Sequence, residues 1–240
     1  MKSLKHYIIE SLNTSKNVEA IQLKAEEYIN ANYTVSGKLS FENVNGVCIV
    51  KCDGDVEVKN KEIKRLTNGF KWGEINGKFD CSYCKSIKSL EGAPEKVRNK
   101  FICSWCKNLT SLEGAPKEVE GSFYCDHCIK LESLEGSPKE IGKDFYLVGC
   151  DKLKSLQGAP EKVNGHFACY YCENLMSLEG APKTVGGNFD CRYCKNLKSL
   201  EGSPKEIGGY FNCSGCVRLK SLEGGPEKVK EIECDEYLKY

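Results

Sequence analysis

From Phe79 onward, apolar side chains return at fixed offsets every 22 residues. Each unit reads F-x-C-x-x-C-x-x-[LI]-x-S-L-E-G-x-P-x-x-[VI], and seven follow one another without insertion, from Phe79, Phe101, Phe123, Phe145, Phe167, Phe189 and Phe211. A fixed period of about 20–29 residues predicts a solenoid, in which each coil buries its apolar face only against its neighbours. Within the unit from Phe101, Phe101 and Cys103 alternate as a short strand does and point to one face. Leu109, Leu112 and Val119 supply the other inward points. Gly114 suits a backbone position with φ > 0, and Pro116 disfavours a helix there, so the return side is expected to be extended or turn-like.

The pattern loosens upstream. Residues 54–78 read as a degenerate first repeat, with Val56-x-Val58, Ile63-x-x-Leu66 and a longer return through Trp72 and Ile75. Residues 13–53 form a small α+β cap, in which Lys38 to Cys52 alternates weakly. Helices are expected over 2–12, where Leu4, Ile8 and Leu12 share a face, and over 17–31, where Ile21, Ala25 and Ile29 do. Residues 1–12 stand apart as an amphipathic N-terminal segment. The seven repeats fill 79–231, and a clipped repeat at 232–240 caps the other end. Terminal units are expected to be atypical because they cover an open core.

The repeat resembles the leucine-rich repeat, whose core is L-x-x-L-x-L-x-x-[N/C]-x-L. Phe101, Cys103 and Cys106 fall on its second leucine, third leucine and ladder position. The S-L-x-G-x-P half resembles the short, proline-bearing repeats of bacterial effector proteins, although Cys at the ladder belongs to the cysteine-type repeats. Over residues 54–234 this implies a β-rich solenoid with a parallel sheet on one face and an extended convex side. The fold hosts many unrelated binders, so the resemblance carries no activity with it.

Charge narrows the partner. Lys plus Arg number 35 against 34 Asp plus Glu. With no basic run, nucleic acid is not the expected ligand. No segment approaches the roughly 18 apolar residues of a membrane span. Residues 1–12 lack the apolar core of a secretory signal. The expected compartment is therefore reducing, where thiols stay free.

The 16 cysteines invite a metal reading. Adjacent pairs such as Cys81/Cys84, Cys103/Cys106 and Cys125/Cys128 would supply four thiolates to zinc, and a zinc or redox array is the alternative function. Three observations favour a buried ladder. The spacing is the repeat period itself. The fourth repeat replaces its first cysteine with Leu147, a core residue and no ligand. Thiolates must also converge at about 2.3 Å from zinc, whereas stacked strands hold like positions about 4.8 Å apart. Free cysteine packs as a small hydrophobe with a weak S–H donor. No cofactor is expected.

Variation among the repeats concentrates at positions 2, 4 and 5 of each unit. Positions 2 and 4 alternate with buried Phe and Cys and should face outward; position 5 begins the rim. Candidate binding residues there are Tyr83, Trp105, Tyr124, His127, Tyr146, Tyr170, Tyr171, Arg192 and Tyr193, centred on repeats two to six. Exposed Trp, Tyr and Arg are typical anchors of a protein interface, so the expected partner is a protein. The same rings also fit a purely structural stripe. The glutamate row from Glu91 to Glu223 reads as a solvated edge, and the serines from Ser89 to Ser221 as turn hydrogen-bonders. No histidine recurs beside a repeated nucleophile, so no catalytic residue is assigned.

Met1 to Ser11 resembles the capsid-targeting leader of internal head proteins of large tailed bacteriophages. There a short amphipathic segment ends in [LI]-x-E before a small residue, and the head protease cuts after the glutamate. Ile8-Ile9-Glu10-Ser11 fits that rule, with Glu10 and Ser11 flanking the cut. The resemblance implies a phage-encoded protein, packaged in the head and acting in the host bacterial cytoplasm.

Overall fold

The computed structural model describes residues 4–238, with helix side chains described from Asn17 onward. One helix, α1 (Leu4–Asn32), replaces the two expected. Asn13, Thr14, Ser15 and Asn17 are weak helix formers, yet without Gly or Pro among them nothing breaks the helix. Its C-terminal half packs through Ala25 and Ile29, with Ile21 and Tyr28 partly covered. Glu10 and Ser11 fall within α1, and their side chains lie outside those described.

β1 (Tyr33–Val35), β2 (Leu39–Val44), β3 (Val47–Cys52), β4 (Val56–Val58) and β5 (Phe70–Ile75) build the N-terminal end. Beyond them each coil contributes two very short strands. Those starting at the phenylalanines extend a front sheet of 10 strands, from β1 and β4 to Glu231–Glu233. The chain is thus a β-solenoid, mostly β, with parallel pairing throughout the repeats. The extended return side carries more order than its sequence suggests. Its Lys96–Val97, Glu118–Val119 and equivalent strands pair in register into a second, 9-stranded back sheet. Among the described residues only the N-terminal end pairs antiparallel, β1 with β4 at the edge of the front sheet and β2 with β3 at the edge of the back sheet.

The front register places like on like, Phe101 beside Phe79 and Phe123. The rings form one continuous row, with centroids 4.9 to 5.8 Å apart from Phe79 to Phe211. Burying each is worth about 1.5–3 kcal/mol. Behind that row lie buried rows of Cys, Leu, Val or Ile, and the prolines from Pro94 to Pro204. Trp72 and Tyr33 plug the N-terminal end, stacking edge-on at 5.3 Å with Trp72 6.0 Å from Phe79.

Local chemistry fixes each coil. Ala115 N–H donates to Leu112 O at 2.9 Å, closing a turn with Gly114 at φ 82°. That is the type II position demanding positive φ. A Cβ there would also lie 2.5 Å from Glu91 N of the previous coil, so glycine is required twice over. The repeated serines behave as expected: Ser133 and Ser199 Oγ each accept the N–H two residues on at 3.0 Å.

After the seventh repeat the Asp235 carboxylate takes the place of a coil's carbonyl. In each inner coil the position-5 N–H donates to a carbonyl of the following one, as Trp105 does to Asp126 O at 2.7 Å. Gly215 N–H instead donates to the Asp235 carboxylate at 3.0 Å, and Tyr237 Oη reaches Cys216 O at 3.3 Å.

The two cysteines of a unit have different duties. From Cys106 on, each second cysteine donates its S–H back to the third residue of the preceding unit. Cys106 reaches Cys81 O at 3.1 Å, Cys128 reaches Cys103 O at 3.3 Å and Cys150 reaches Cys125 O at 3.2 Å. Cys172 donates to Leu147 O at 3.2 Å, because the acceptor is backbone and tolerates the exchanged side chain. The first cysteine mainly fills volume. Where Cys103, Cys125 and Cys191 do reach a carbonyl, at 3.4 to 3.5 Å, that oxygen already accepts the same residue's backbone N–H. This explains why leucine replaces the first cysteine once. Cys172→Ala is therefore expected to cost about 1 kcal/mol more than Cys169→Ala, the excess being the lost bond to a buried carbonyl. Urea unfolding of the two variants measures the difference.

Candidate binding face

All 16 cysteines are free; 15 are buried and Cys234 is half-buried. Among the described residues no three His, Cys, Asp or Glu side chains converge as metal ligands, which covers Cys81, Cys84, Cys103, Cys106, Cys125 and Cys128. Thiol chemistry needs the thiolate. A hydrogen bond with Cys106 favours the Cys81 thiolate, burial opposes it, and the thiol is pushed up to about 12. Burial pushes Cys213 up to about 12, with Cys216 beside it adding to the effect. Cys103, Cys150 and Cys172 rise well above the usual thiol range, burial being the main cause in each. Cys216 moves the other way, held down by its contact with Cys191.

The outer surface of the front sheet is chemically different. Position 5 ends each front strand, and the chain turns there through left-handed backbone. Tyr83, Trp105, His127, Tyr171 and Tyr193 have φ between 55° and 62°, and Gly149 and Gly215 complete the row at 65° and 73°. Only glycine adopts that region freely; for other residues it costs roughly 1–2 kcal/mol. Ring stacking between coils returns about 0.5–1.5 kcal/mol per pair. Tyr83 lies parallel to Trp105 at 6.0 Å, Trp105 stacks on His127 at 4.1 Å, and Tyr171 on Tyr193 at 4.9 Å. Five strained residues against three stacked pairs leave no net gain from the stacking itself. Stability therefore gives little reason for rings where glycine fits.

Each ring leans over the next coil. A Cβ at Gly149 would lie 2.7 Å from His127 Nδ1, and one at Gly215 would lie 2.5 Å from Tyr193 Cδ1. The glycines end two separate stacks. Tyr83, Trp105, Tyr171 and Tyr193 remain 55%, 38%, 47% and 42% exposed, so stacking leaves large ring areas to solvent.

Positions 2 and 4 do lie on the outer side, but several are covered. Ser82, Ser104, Val148, Ala168 and Asn212 are buried, because neighbours one strand spacing away overlie them. Tyr124 and Tyr146 stack in parallel at 5.0 Å, and Tyr170 meets Tyr171 edge-on at 5.6 Å. Arg192 lies 5.1 Å over the Tyr170 ring and pairs with Asp190 at 2.9 Å. Lys100 lies 5.7 Å over Tyr124. Asp126 accepts hydrogen bonds from Val148 N–H at 3.0 Å and Ser104 Oγ at 3.3 Å. The nine residues read from sequence thus lie on the outer side of the front sheet in three contacting sets: Tyr83, Trp105 and His127; Tyr124 and Tyr146; and Tyr170, Tyr171, Arg192 and Tyr193. Sequence reasoning missed Asp126, Asp190, Lys100 and Asp144. The last two sit just before the phenylalanine, a position whose variation is as wide as that of the positions singled out.

The back sheet offers no comparable surface. Its charges neutralise one another from coil to coil, as in Lys96 to Glu118 at 3.0 Å, Lys96 to Glu120 at 2.7 Å and Lys162 to Glu140 at 3.0 Å. Such exposed pairs contribute little stability, but they leave few charges for a partner. The glutamates of the S-L-E-G turns are exposed, as expected of a solvated edge.

A thiol-specific reagent applied to native protein is expected to label Cys234 first and the buried rows only as the solenoid opens. All 16 should react in denaturant. Fast labelling of the rows in native protein contradicts the dry ladder. Comparison with protein-family models, with curated proteins and with solved structures returned no match to this chain.

Proposed function

We propose that the protein is a non-enzymatic interaction solenoid whose front sheet binds a protein partner. The observation that carries this reading is the set of rings at position 5. They occupy backbone that favours glycine, gain little net stability from stacking, and stay exposed. Aromatic side chains of this kind, rigid and large, are the usual anchors of protein interfaces. The repeat's resemblance to the leucine-rich repeat supports the same use of the front face. The partner's setting is inferred to be the cytoplasm of a bacterial host. The likeness of Ile8-Ile9-Glu10-Ser11 to a capsid-targeting leader supports a phage-encoded protein packaged in the head.

Trp105→Gly combined with Tyr171→Gly tests the face without adding strain, since glycine already occupies the row at 149 and 215. The thermal midpoint should stay within about 5 °C of the parent. Capture of a host protein present with the parent chain should be lost. Unchanged capture would make the rings structural. For the leader, intact mass of the protein from virions should correspond to a chain beginning at Ser11; a chain still carrying residues 1–10 rules out cleavage there.

A further inference from the structure

We propose that the middle of the front sheet recognises a guanidinium group, an arginine side chain of the protein partner, between the Asp126 carboxylate and the rings of Tyr124, Tyr146 and Tyr170. This rests on the reading of the front sheet as a protein-binding face and names what the partner presents there.

Asp126 is half-buried at the end of its strand. Its two hydrogen bonds, from Val148 N–H and Ser104 Oγ, occupy about half of the lone-pair sites a carboxylate offers. Among the described residues it has no ion-pair partner within 4.0 Å. Burial, the first cause, pushes its carboxyl above the ordinary aspartate value, while the bonds from Val148 and Ser104 and the neighbouring His127 work the other way. A charge that has lost water and has no counter-ion in contact is a poor state to leave unpaired. Supplying a cation relieves it.

The surroundings suit a flat cation. Tyr124 stands two residues before Asp126, Tyr146 stacks on Tyr124 at 5.0 Å, and the Val148 N–H ties the carboxylate to the coil of Tyr146. In keeping with this, burial raises the Tyr146 and Tyr170 phenols and the charge of Asp126 adds to both rises. Asp144 adds a second negative charge beside Tyr146. Two cations of the face lie on these rings, Lys100 5.7 Å over Tyr124 and Arg192 5.1 Å over Tyr170, and neither pairs with Asp126. Guanidinium stacks on an aromatic face while donating two parallel hydrogen bonds to carboxylate, which a lysine ammonium does not do.

The molecule contains a related arrangement, with its arginine in place. Three coils toward the C-terminus from Asp126, Arg192 lies on the Tyr170 ring and pairs with the half-buried Asp190. There burial likewise raises the aspartate, and Arg192 works against that rise. Around Asp126 the chain supplies carboxylate and rings and omits the arginine. Charge complementarity thus selects the occupant: a phosphorylated or otherwise anionic group would meet Asp126 and Asp144.

The test uses the full chain labelled with ¹⁵N, titrated with N-acetyl-arginine amide and with its uncharged analogue N-acetyl-citrulline amide. The arginine compound is expected to shift the amide signals of Ser104, Val148 and Gly149 saturably, with Kd on the order of 1 mM. The citrulline compound should leave them in place. Asp126→Asn keeps the shape of the side chain and should weaken binding at least about ten-fold, with the unfolding midpoint checked in parallel. Should that variant unfold, Tyr146→Leu removes a ring instead and should weaken binding as well. Equal shifts with citrulline, or undiminished binding by a folded Asp126→Asn, overturn the proposal. Failure here together with loss of partner capture in Trp105→Gly/Tyr171→Gly rejects this site and keeps the protein-binding face. Arginine binding without any captured partner does the reverse.

Discussion

Strand pairing between successive coils is the constraint from which the remaining features follow. A coil of 22 residues has no core of its own; its phenylalanine, cysteines and leucines are dry only because another coil lies on each side. Pairing in register forces like onto like, so every position becomes a row about 4.8 Å in pitch. Rows of phenylalanine gain from this, and rows of equal charge do not. The back sheet answers with lysine opposite glutamate from coil to coil, as in Lys162 and Glu140. The same constraint leaves one strand carbonyl per coil turned inward, and the S–H of the second cysteine meets it. A side chain of that size with a weak donor is what the interior admits, so cysteine recurs for its hydrogen bond and its volume together.

Much of this was legible in the sequence because periodicity reports burial directly. The 22-residue spacing, Leu147 in a cysteine column and the Gly-x-Pro turn led to the solenoid, the buried first cysteine and the positive φ of Gly114. The second sheet was not legible. Strands of two residues, such as Lys96–Val97, are too short to show alternation, and their pairing comes from the neighbouring coils. The uninterrupted α1 was obscured for a related reason: weak helix formers between two apolar stripes look like a break, but only Gly or Pro enforces one.

The left-handed row was the more consequential omission, and its signal was present. Position 5 holds either a ring or glycine, with Gly149 and Gly215 as the two glycines. Glycine alternating with bulky residues in one column is odd for a packed position and natural for one with positive φ. Recognising that would have turned the aromatic row from an exposed stripe into residues held against conformational preference. Strain of this kind persists where the surroundings over-determine the conformation, and it concentrates at functional surfaces.

The two faces therefore divide the chemistry of the solenoid. On the back, cross-coil ion pairs satisfy charge within the molecule, and the exposed large rings lie elsewhere. On the front, one aspartate has its arginine and ring while another has rings alone. A structural stripe would favour uniform stacking along the whole row. Instead glycines divide it after His127 and after Tyr193. The interruption at Gly149 falls beside Val148, whose N–H holds Asp126. The break in the outer ring row thus lies next to the unpaired carboxylate, and a partner side chain entering there meets fewer rings to displace.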